Sequence, residues 1–185
     1  MSHADTVFLG KRTMTEVIVS DIPPEGRELT FAEDTEALDL SADGARFIQP
    51  IAADLLLQKT GDAVRVMGHL ALSVMFECVG CLREYMASFD IPVDAQYLPG
   101  SPATLPGEHP MPPQEAENYY YRDHTILLDE LVREEVLLAM PYKPLCKSDC
   151  RGLCAQCGQD LNIETCRCAP PPDPRLAALR EYFKK

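Results

Sequence analysis

The chain has 185 residues, of which 46% are hydrophobic and 25% are charged, and its formal net charge is −12. This length predicts one domain with a small appendage, and the hydrophobic share excludes a chain that is disordered throughout. No run of about 18 apolar residues occurs, so we expect no membrane-spanning helix and no membrane partner.

The charge is divided unevenly along the chain. Residues 1–141 contain 9 lysines and arginines against 24 acidic residues, a balance of −15. Residues 142–185 contain 8 against 5, a balance of +3. The long acidic part is suited to cationic partners, and only the C-terminal part is suited to a phosphate backbone.

The N-terminal residues predict a cytoplasmic location. Asp5, Lys11, Arg12 and Glu16 interrupt the first twenty positions, which is unlike the apolar core of a signal peptide. Without such a signal we expect a reducing compartment, where eight cysteines favour metal binding over disulfides.

Residues 1–98 predict an antiparallel β domain. Strands are expected at Glu16–Val19, at the acidic and weakly patterned Thr30–Leu40, and at 46–59. Turns rich in proline, glycine and aspartate separate them, at 23–26, 42–44 and 60–62.

The clearest pattern is the alternation of two long strands on either side of a Cys-x-x-Cys pair. In Val64–Phe76 every even position is apolar or glycine, and in Tyr85–Tyr97 the odd positions are apolar. Such a period of two is typical of an antiparallel sheet with one buried face. Pro92 cannot donate a ladder hydrogen bond, so the second strand lies at an edge or carries a bulge. These strands predict a small antiparallel β-barrel or a strongly curled sheet, with Cys78–Cys81 at the tip of a hairpin.

The rest of the chain adds helices, so the expected fold class is α+β. Residues 99–118 have six prolines in their first fifteen positions and predict a Pro-rich acidic linker or loop. Residues 119–185 predict an amphipathic helix at Leu127–Met140, then a cysteine-rich segment, then a short terminal helix that begins at Asp173–Pro174.

The eight cysteines fall in close pairs, which suits zinc. A tetrahedral Zn²⁺ takes four soft or borderline donors, and a two-residue spacer lets both thiolates of a pair converge on one ion. We therefore expect one or two zinc ions. The expected ligands are Cys78, Cys81, Cys146, Cys150, Cys154, Cys157, Cys166 and Cys168.

Two partitions of these ligands fit the spacing. The last four cysteines can close a site within fifteen residues, which leaves Cys146 and Cys150 to join the upstream pair. In the alternative, the upstream pair joins Cys154 and Cys157. In either case a four-thiolate site lacks the open position that a hydrolytic zinc needs, so catalytic zinc is disfavoured.

Other chemistries have weaker support in the sequence. A thioredoxin-like redox pair needs its first thiol at a helix N-terminus, whereas Cys78 follows a strand. The histidines are scattered, the acidic residues of the helix suit a solvated face, and the tyrosines at 119–121 suit packing more than base stacking. No glycine-rich phosphate loop or Ser/His/Asp set occurs. We expect a protein that is not an enzyme and has no small-molecule substrate.

Four segments carry a resemblance to a known family. They are LVREEVLLAMPYKPLCKSDCRGLCAQCGQDLN from Leu131, the later CRC and DPRLAALREY, and CVGCLREY at the hairpin. Together they resemble the bacterial family of large ribosomal RNA subunit accumulation proteins, the YceD-like group. The resemblance implies a role in the accumulation or maturation of large-subunit (23S) ribosomal RNA and in ribosome assembly, and it implies no chemical activity.

Two hypotheses describe how such a role could be performed. In the first, four basic residues on the zinc-bound segment touch ribosomal RNA phosphates, while the acidic domain faces a basic ribosomal protein. In the second, the protein is an acidic escort of a basic ribosomal protein and makes no direct RNA contact. The candidate RNA-binding residues are Lys143, Lys147, Arg151 and Arg167.

Overall fold

The computed structural model describes residues 15–41, 44–100 and 118–168. The chain forms two compact units. The first is Met1–Phe76 with Met86–Tyr142, and the second is Glu77–Tyr85 with Lys143–Lys185. The predicted Pro-rich linker and the predicted terminal helix lie outside the described residues, apart from positions 99, 100 and 118 of the linker. The predicted division of the chain at 99–118 stays a prediction.

Eight strands and one α-helix are present in the described residues, with a short 3-10 turn at Val19–Asp21. The first four strands are β1 (Glu16–Ile18), β2 (Arg27–Glu33), β3 (Ala45–Phe47) and β4 (Ile51–Thr60). The remaining elements are β5 (Ala63–Glu77), β6 (Glu84–Pro99), β7 (Asn118–Tyr121), β8 (Thr125–Leu127) and helix α1 (Leu128–Ala139). The prediction of an α+β chain dominated by sheet is confirmed.

The main sheet has six strands and is open. Its order is β2-β4-β5-β6-β7, with β3 also paired to β5, and β1 pairs with β8 in a separate two-stranded sheet. The pairs β2/β4, β3/β5 and β4/β5 are antiparallel, whereas β6 and β7 are parallel. The sequence predicted a small barrel or a strongly curled sheet. Within the described residues β2 and β7 are not paired with each other, so of these two forms the closed barrel is not present.

The alternation that predicted the two long strands is present in the structure. On β5 the even positions from Val64 to Phe76 are buried apart from Gly68, and on β6 the odd positions from Ile91 to Tyr97 are buried. Each fully buried aliphatic side chain contributes about 1.5–3 kcal/mol relative to exposure, so one face of these strands supplies much of the core of the first unit. Pro92 lies where β7 does not reach, since β7 pairs with β6 only from Gln96 to Pro99.

The strand predicted at 46–59 is interrupted. Phe47 pairs with Val74, and Ala52 pairs with Ala71. Four residues therefore separate the two pairs on the β3–β4 side, whereas only two separate them on β5. Pro50 lies in this stretch and has no backbone N–H to donate, which explains why pairing stops and resumes in a shifted register. The acidic strand predicted at Thr30–Leu40 likewise ends early, at Glu33.

Helix α1 confirms the helix predicted at Leu127–Met140. Its apolar positions recur at a spacing of three to four residues, and these positions are fully buried: Leu128, Leu131, Val132 and Val136. Asp129 in the first turn accepts a hydrogen bond from the Thr15 backbone N–H at 2.7 Å, and its charge suits the helix N-terminus. Among the described residues, no helix has the length and apolar composition needed to cross a membrane.

Candidate metal centre

The first knuckle of the second unit is the tip of the hairpin between β5 and β6. The Cys78 backbone N–H donates to the Arg83 carbonyl at 2.9 Å, and the Leu82 N–H donates to the Cys78 carbonyl at 2.8 Å. Leu82 has a φ of 57°, in the left-handed region. This tight turn directs the sulfurs of Cys78 and Cys81 to the same side.

A second knuckle repeats this geometry at Cys154–Gln159. The Cys154 N–H donates to the Gln159 carbonyl at 2.8 Å, and the Gly158 N–H donates to the Cys154 carbonyl at 2.9 Å. Gly158 has a φ of 72° and takes the place that Leu82 has in the first knuckle. The two Cys-x-x-Cys pairs therefore share one backbone conformation, in which the residue after the second cysteine is left-handed.

The eight cysteines form two clusters, which we name cluster A and cluster B. All eight are free thiols, and within each cluster the sulfur atoms lie within 4.8 Å of one another. Cluster A is Cys78, Cys81, Cys146 and Cys150, and cluster B is Cys154, Cys157, Cys166 and Cys168. This grouping corresponds to the first of the two partitions considered from the spacing.

The sulfur separations in cluster A fit a tetrahedral ion. The Sγ atoms of Cys78 and Cys150 are 3.7 Å apart, and those of Cys81 and Cys146 are 3.6 Å apart. Four sulfurs placed about 2.3 Å from a zinc ion would be about 3.8 Å from one another. A disulfide would need about 2.0 Å. The donor set is thus suited to a metal ion, and both clusters could hold one.

The sulfur atoms of each cluster interact electrostatically. Burial raises the pKa of the Cys78 thiol, but surrounding backbone N–H groups outweigh burial and leave this pKa at about 6. Backbone N–H groups of its own knuckle lower the pKa of Cys154 to about 6. Burial and neighbouring sulfurs raise the pKa of Cys146 to about 12, and the sulfur of Cys157 together with burial raises that of Cys168 to about 12. Four thiolates so close together need a cation, and metal binding should therefore release protons.

Two glycines allow the parts of cluster A to approach. Gly152 has a φ of 70°, and a Cβ at this position would lie 2.9 Å from the Gly80 carbonyl oxygen. The Leu153 N–H donates to the same carbonyl at 3.0 Å. A side chain at either glycine would separate the hairpin tip from the segment that carries Cys150, because a Cβ on Gly80 would lie 3.3 Å from the Cys150 sulfur.

Three polar residues outside the ligand set support cluster A, and sequence reasoning missed them. Arg83 and Asp160 form an ion pair, Asp160 accepts hydrogen bonds from Asn162, and the Asn162 amide nitrogen lies 3.5 Å from the Cys150 sulfur. The arginine holds the pKa of Asp160 at about 2. Asp160 and Asn162 lie between two ligand pairs, a position that could have marked them as support for the ligands.

The two clusters differ in exposure. In cluster A, Cys78 and Cys81 are buried and the other two ligands are half-buried. In cluster B none of the four is buried, and Cys157 is exposed. Solvent and competing ligands therefore have easier access to cluster B.

The four candidate RNA-binding residues are all exposed members of the second unit. The Lys147 ammonium lies 3.6 Å from an Asp149 carboxylate oxygen, so part of its charge is compensated. The Arg151 backbone N–H donates to the Asn162 side chain, and the Arg151 guanidinium takes no part in this hydrogen bond. Their role in binding RNA stays a prediction.

The tyrosines at 119–121 and His69, to which the sequence assigns no functional role, lie in the first unit. Tyr121 is buried and donates to the Asp62 carbonyl at 2.7 Å, and Tyr119 stacks on Tyr97 with ring centroids 5.1 Å apart. His69 is exposed and lies 3.1 Å from the Asp90 carboxylate on the neighbouring strand. The packing interpretation is confirmed for Tyr119 and Tyr121.

Comparison with known proteins gives one family and several relatives. Residues 66–182 match the family described as large ribosomal RNA subunit accumulation protein YceD. An uncharacterized protein of Mycobacterium leprae is 27% identical over 180 residues, which cover 94% of this chain and 81% of that protein. Uncharacterized proteins of Mycobacterium bovis and Mycobacterium tuberculosis are 30% identical over 130 residues, or 70% of this chain and 60% of theirs. No solved structure matches.

Proposed function

Because the chain belongs to the YceD family of large ribosomal RNA subunit accumulation proteins, we propose that it is a zinc-binding assembly factor that supports accumulation of 23S ribosomal RNA. It acts without catalysing a reaction, and its place of action is the cytoplasm, where a reducing environment keeps thiols available for metal. The observation that carries this proposal is the pair of four-cysteine clusters in the second unit.

The clusters favour a structural role for the metal. An ion with four thiolates has no open position for water or substrate, so its contribution is to hold loops in place rather than to supply a nucleophile. Much of the second unit is held by turns and knuckles, and within its described residues strand structure is confined to Glu77, Glu84, Tyr85 and one isolated bridge between Leu153 and Asp160. Zinc would therefore contribute directly to the folding of this unit.

The proposed contact with RNA is made by exposed cations on these loops. Lys143, Lys147, Arg151 and Arg167 are set between or beside cysteine ligands, so an ion in each cluster would limit the movement of their backbone. Basic side chains on a rigid support suit phosphates, and each contact releases counterions from the RNA.

A second candidate function is supported by the charge of the first unit. Its described part contains exposed acidic residues between β2 and β3, among them Asp34, Glu36 and Asp39. Two four-thiolate zinc sites would also add about −4 to the charge of the second unit. An acidic surface suits a basic ribosomal protein, so the protein would act as its escort and touch no RNA.

A salt-dependent binding titration with large-subunit RNA fragments distinguishes the two. The first function predicts that the logarithm of the RNA affinity falls linearly with the logarithm of the salt concentration. The slope should be shallower after Lys143→Ala and Arg167→Ala, because each change removes a phosphate contact. Glu164→Ala, which removes an exposed acid from the same unit, is the matched control and should leave the affinity unchanged or slightly higher. Tight binding to a ribosomal protein with no measurable RNA affinity would leave only the escort function.

A further inference from the structure

We propose that Asn162 couples the two clusters, so that an ion held in cluster B tightens the binding of an ion in cluster A. The inference rests on the proposed function, because it takes both clusters to be metal sites, and it adds how one site regulates the other. In this proposal, metal binding at the more exposed cluster B stabilises metal binding at the more buried cluster A.

The position of Asn162 in the chain is the first observation. The residue lies in the loop between Cys157 and Cys166, which are both members of cluster B. Its side-chain nitrogen nevertheless donates to the sulfur of Cys150, a member of cluster A, at 3.5 Å. One side chain therefore connects the loop of one cluster to a ligand of the other.

The orientation of this amide is determined by its other contacts. The Asn162 side-chain oxygen accepts the Arg151 backbone N–H at 2.9 Å, which leaves the side-chain nitrogen to face sulfur. Asp160 accepts hydrogen bonds at 2.8 Å from both the backbone and the side-chain nitrogen of Asn162. The side-chain amide is thus held at its oxygen and its nitrogen, and the Asn162 backbone N–H is held as well, so the amide presents its remaining N–H to Cys150 in one arrangement.

The same loop is attached to the other half of cluster A. Asp160 pairs with Arg83, which stands two residues after Cys81 at the hairpin tip. The Leu161 N–H also donates to the Gly152 carbonyl at 2.9 Å. The loop of cluster B therefore touches both chain segments that supply the ligands of cluster A.

Coupling follows from the cost of ordering this loop. An ion in cluster B binds Cys157 and Cys166 and so fixes both ends of the loop, which reduces the entropy lost when Asn162 docks on Cys150. Hydrogen bonds to a metal ligand commonly change metal affinity by about 10- to 100-fold. Because linkage is reciprocal, an ion in cluster A must favour an ion in cluster B by the same factor.

The test is a chelator-competition titration of the full chain with Zn²⁺ and with Co²⁺. Asn162→Ala should weaken ion binding in cluster A by about 10- to 100-fold. Cys166→Ser with Cys168→Ser, which abolishes cluster B, should weaken it comparably, and adding Asn162→Ala to this pair should cost little more. The sulfur-to-cobalt charge-transfer band of cluster A should shift in Asn162→Ala. Thr165→Ala, an exposed change in the same loop, is the control and should alter neither affinity nor band.

A measurement on the unaltered protein covers the case in which a variant fails to fold. Native mass spectrometry at half saturation should show less of the one-zinc species than a statistical distribution predicts. The metal-free and two-zinc species should be correspondingly more abundant. A statistical distribution, or affinities of cluster A that stay within about twofold in Asn162→Ala, would overturn the coupling and leave the proposed function intact. Absence of metal from both clusters would overturn both.

Discussion

The backbones of Gly80 and Gly152 are in contact beside cluster A, and a Cβ on Gly152 would lie 2.9 Å from the Gly80 carbonyl oxygen. These residues are 72 positions apart in the chain, and their contact brings the Cys78–Cys81 knuckle to the segment that carries Cys146 and Cys150. Backbone packed on backbone in this way leaves no room for a side chain.

Gly152→Ala should therefore weaken cluster A. The change combines a left-handed conformation, which costs about 1 kcal/mol for an L-residue, with a displacement of the Gly80 backbone that adds to this cost. The measurement is zinc affinity by chelator competition together with the thermal midpoint. Gly158→Ala is the matched control, since its φ of 72° is similar but nothing lies within 4 Å of its Cβ position. Equal losses in the two variants would contradict the close approach of Gly80 and Gly152.

Leu82 occupies the position at which the second knuckle has glycine. Leu82→Gly should keep metal binding and raise the thermal midpoint of the zinc-loaded protein, because glycine accepts a φ of 57° without the cost of about 1 kcal/mol that leucine incurs. Leu82→Val should lower the midpoint, since a β-branched side chain tolerates this conformation least. Loss of zinc in Leu82→Gly would show that the knuckle depends on the leucine side chain instead.

The unequal exposure of the clusters predicts two rates of metal loss. Mixing the zinc-loaded protein with an excess of chelator should release one ion quickly, from cluster B, and the other slowly, because Cys78 and Cys81 are buried. The fast phase should be missing in Cys157→Ser, which removes the exposed ligand. A single phase for both ions, or a fast phase that survives Cys157→Ser, would contradict this assignment.

Glu33 predicts a pH dependence that belongs to the first unit. It is buried, accepts a hydrogen bond from the Thr15 hydroxyl, and lies near Asp129 and Asp34. Burial raises its pKa above the ordinary 4.5, the Thr15 hydrogen bond opposes this, and the two carboxylates raise it further. A raised pKa in the folded state favours the neutral acid, so its stabilising contribution is complete below 4.5 and is lost as the pH rises through the folded value.

Glu33→Gln should therefore be more stable than the unaltered protein near neutral pH, with an advantage that declines as the pH falls through the raised pKa of Glu33 towards 4.5 and is gone below 4.5. Denaturant unfolding of both proteins across this range measures the difference, and zinc loss in acid affects the two equally. Glu28→Gln, an exposed change on the same strand, should show no such trend. An advantage that grows in acid would mean that the sign of the shift is wrong.

The sequence predicted local features well because these depend on neighbouring residues. Alternation along Val64–Phe76 identified the buried face, and three-to-four spacing identified α1, since each pattern reflects one element packed on one side. The spacing of Cys154 and Cys157 similarly predicted a knuckle, because two intervening residues are enough to turn the chain.

Features that join distant segments were not predictable in this way. Alternation defines the faces of a strand and not its partners, so it could not show that β7 runs parallel to β6 or that the sheet stays open. Asn162 and Gly80 look ordinary in the sequence, and only their contacts with Cys150 and Gly152 reveal their roles.

The measurement that tests the central claim most directly is the metal content of the protein purified under reducing conditions without added metal. Elemental analysis should find two zinc ions per chain, and one in Cys78→Ser or in Cys157→Ser. Free-thiol titration of the same samples after denaturation with chelator should find every cysteine reduced, eight in the unaltered protein and one fewer in each variant. Protein that folds with no bound metal, or with its cysteines in disulfides, would contradict the account.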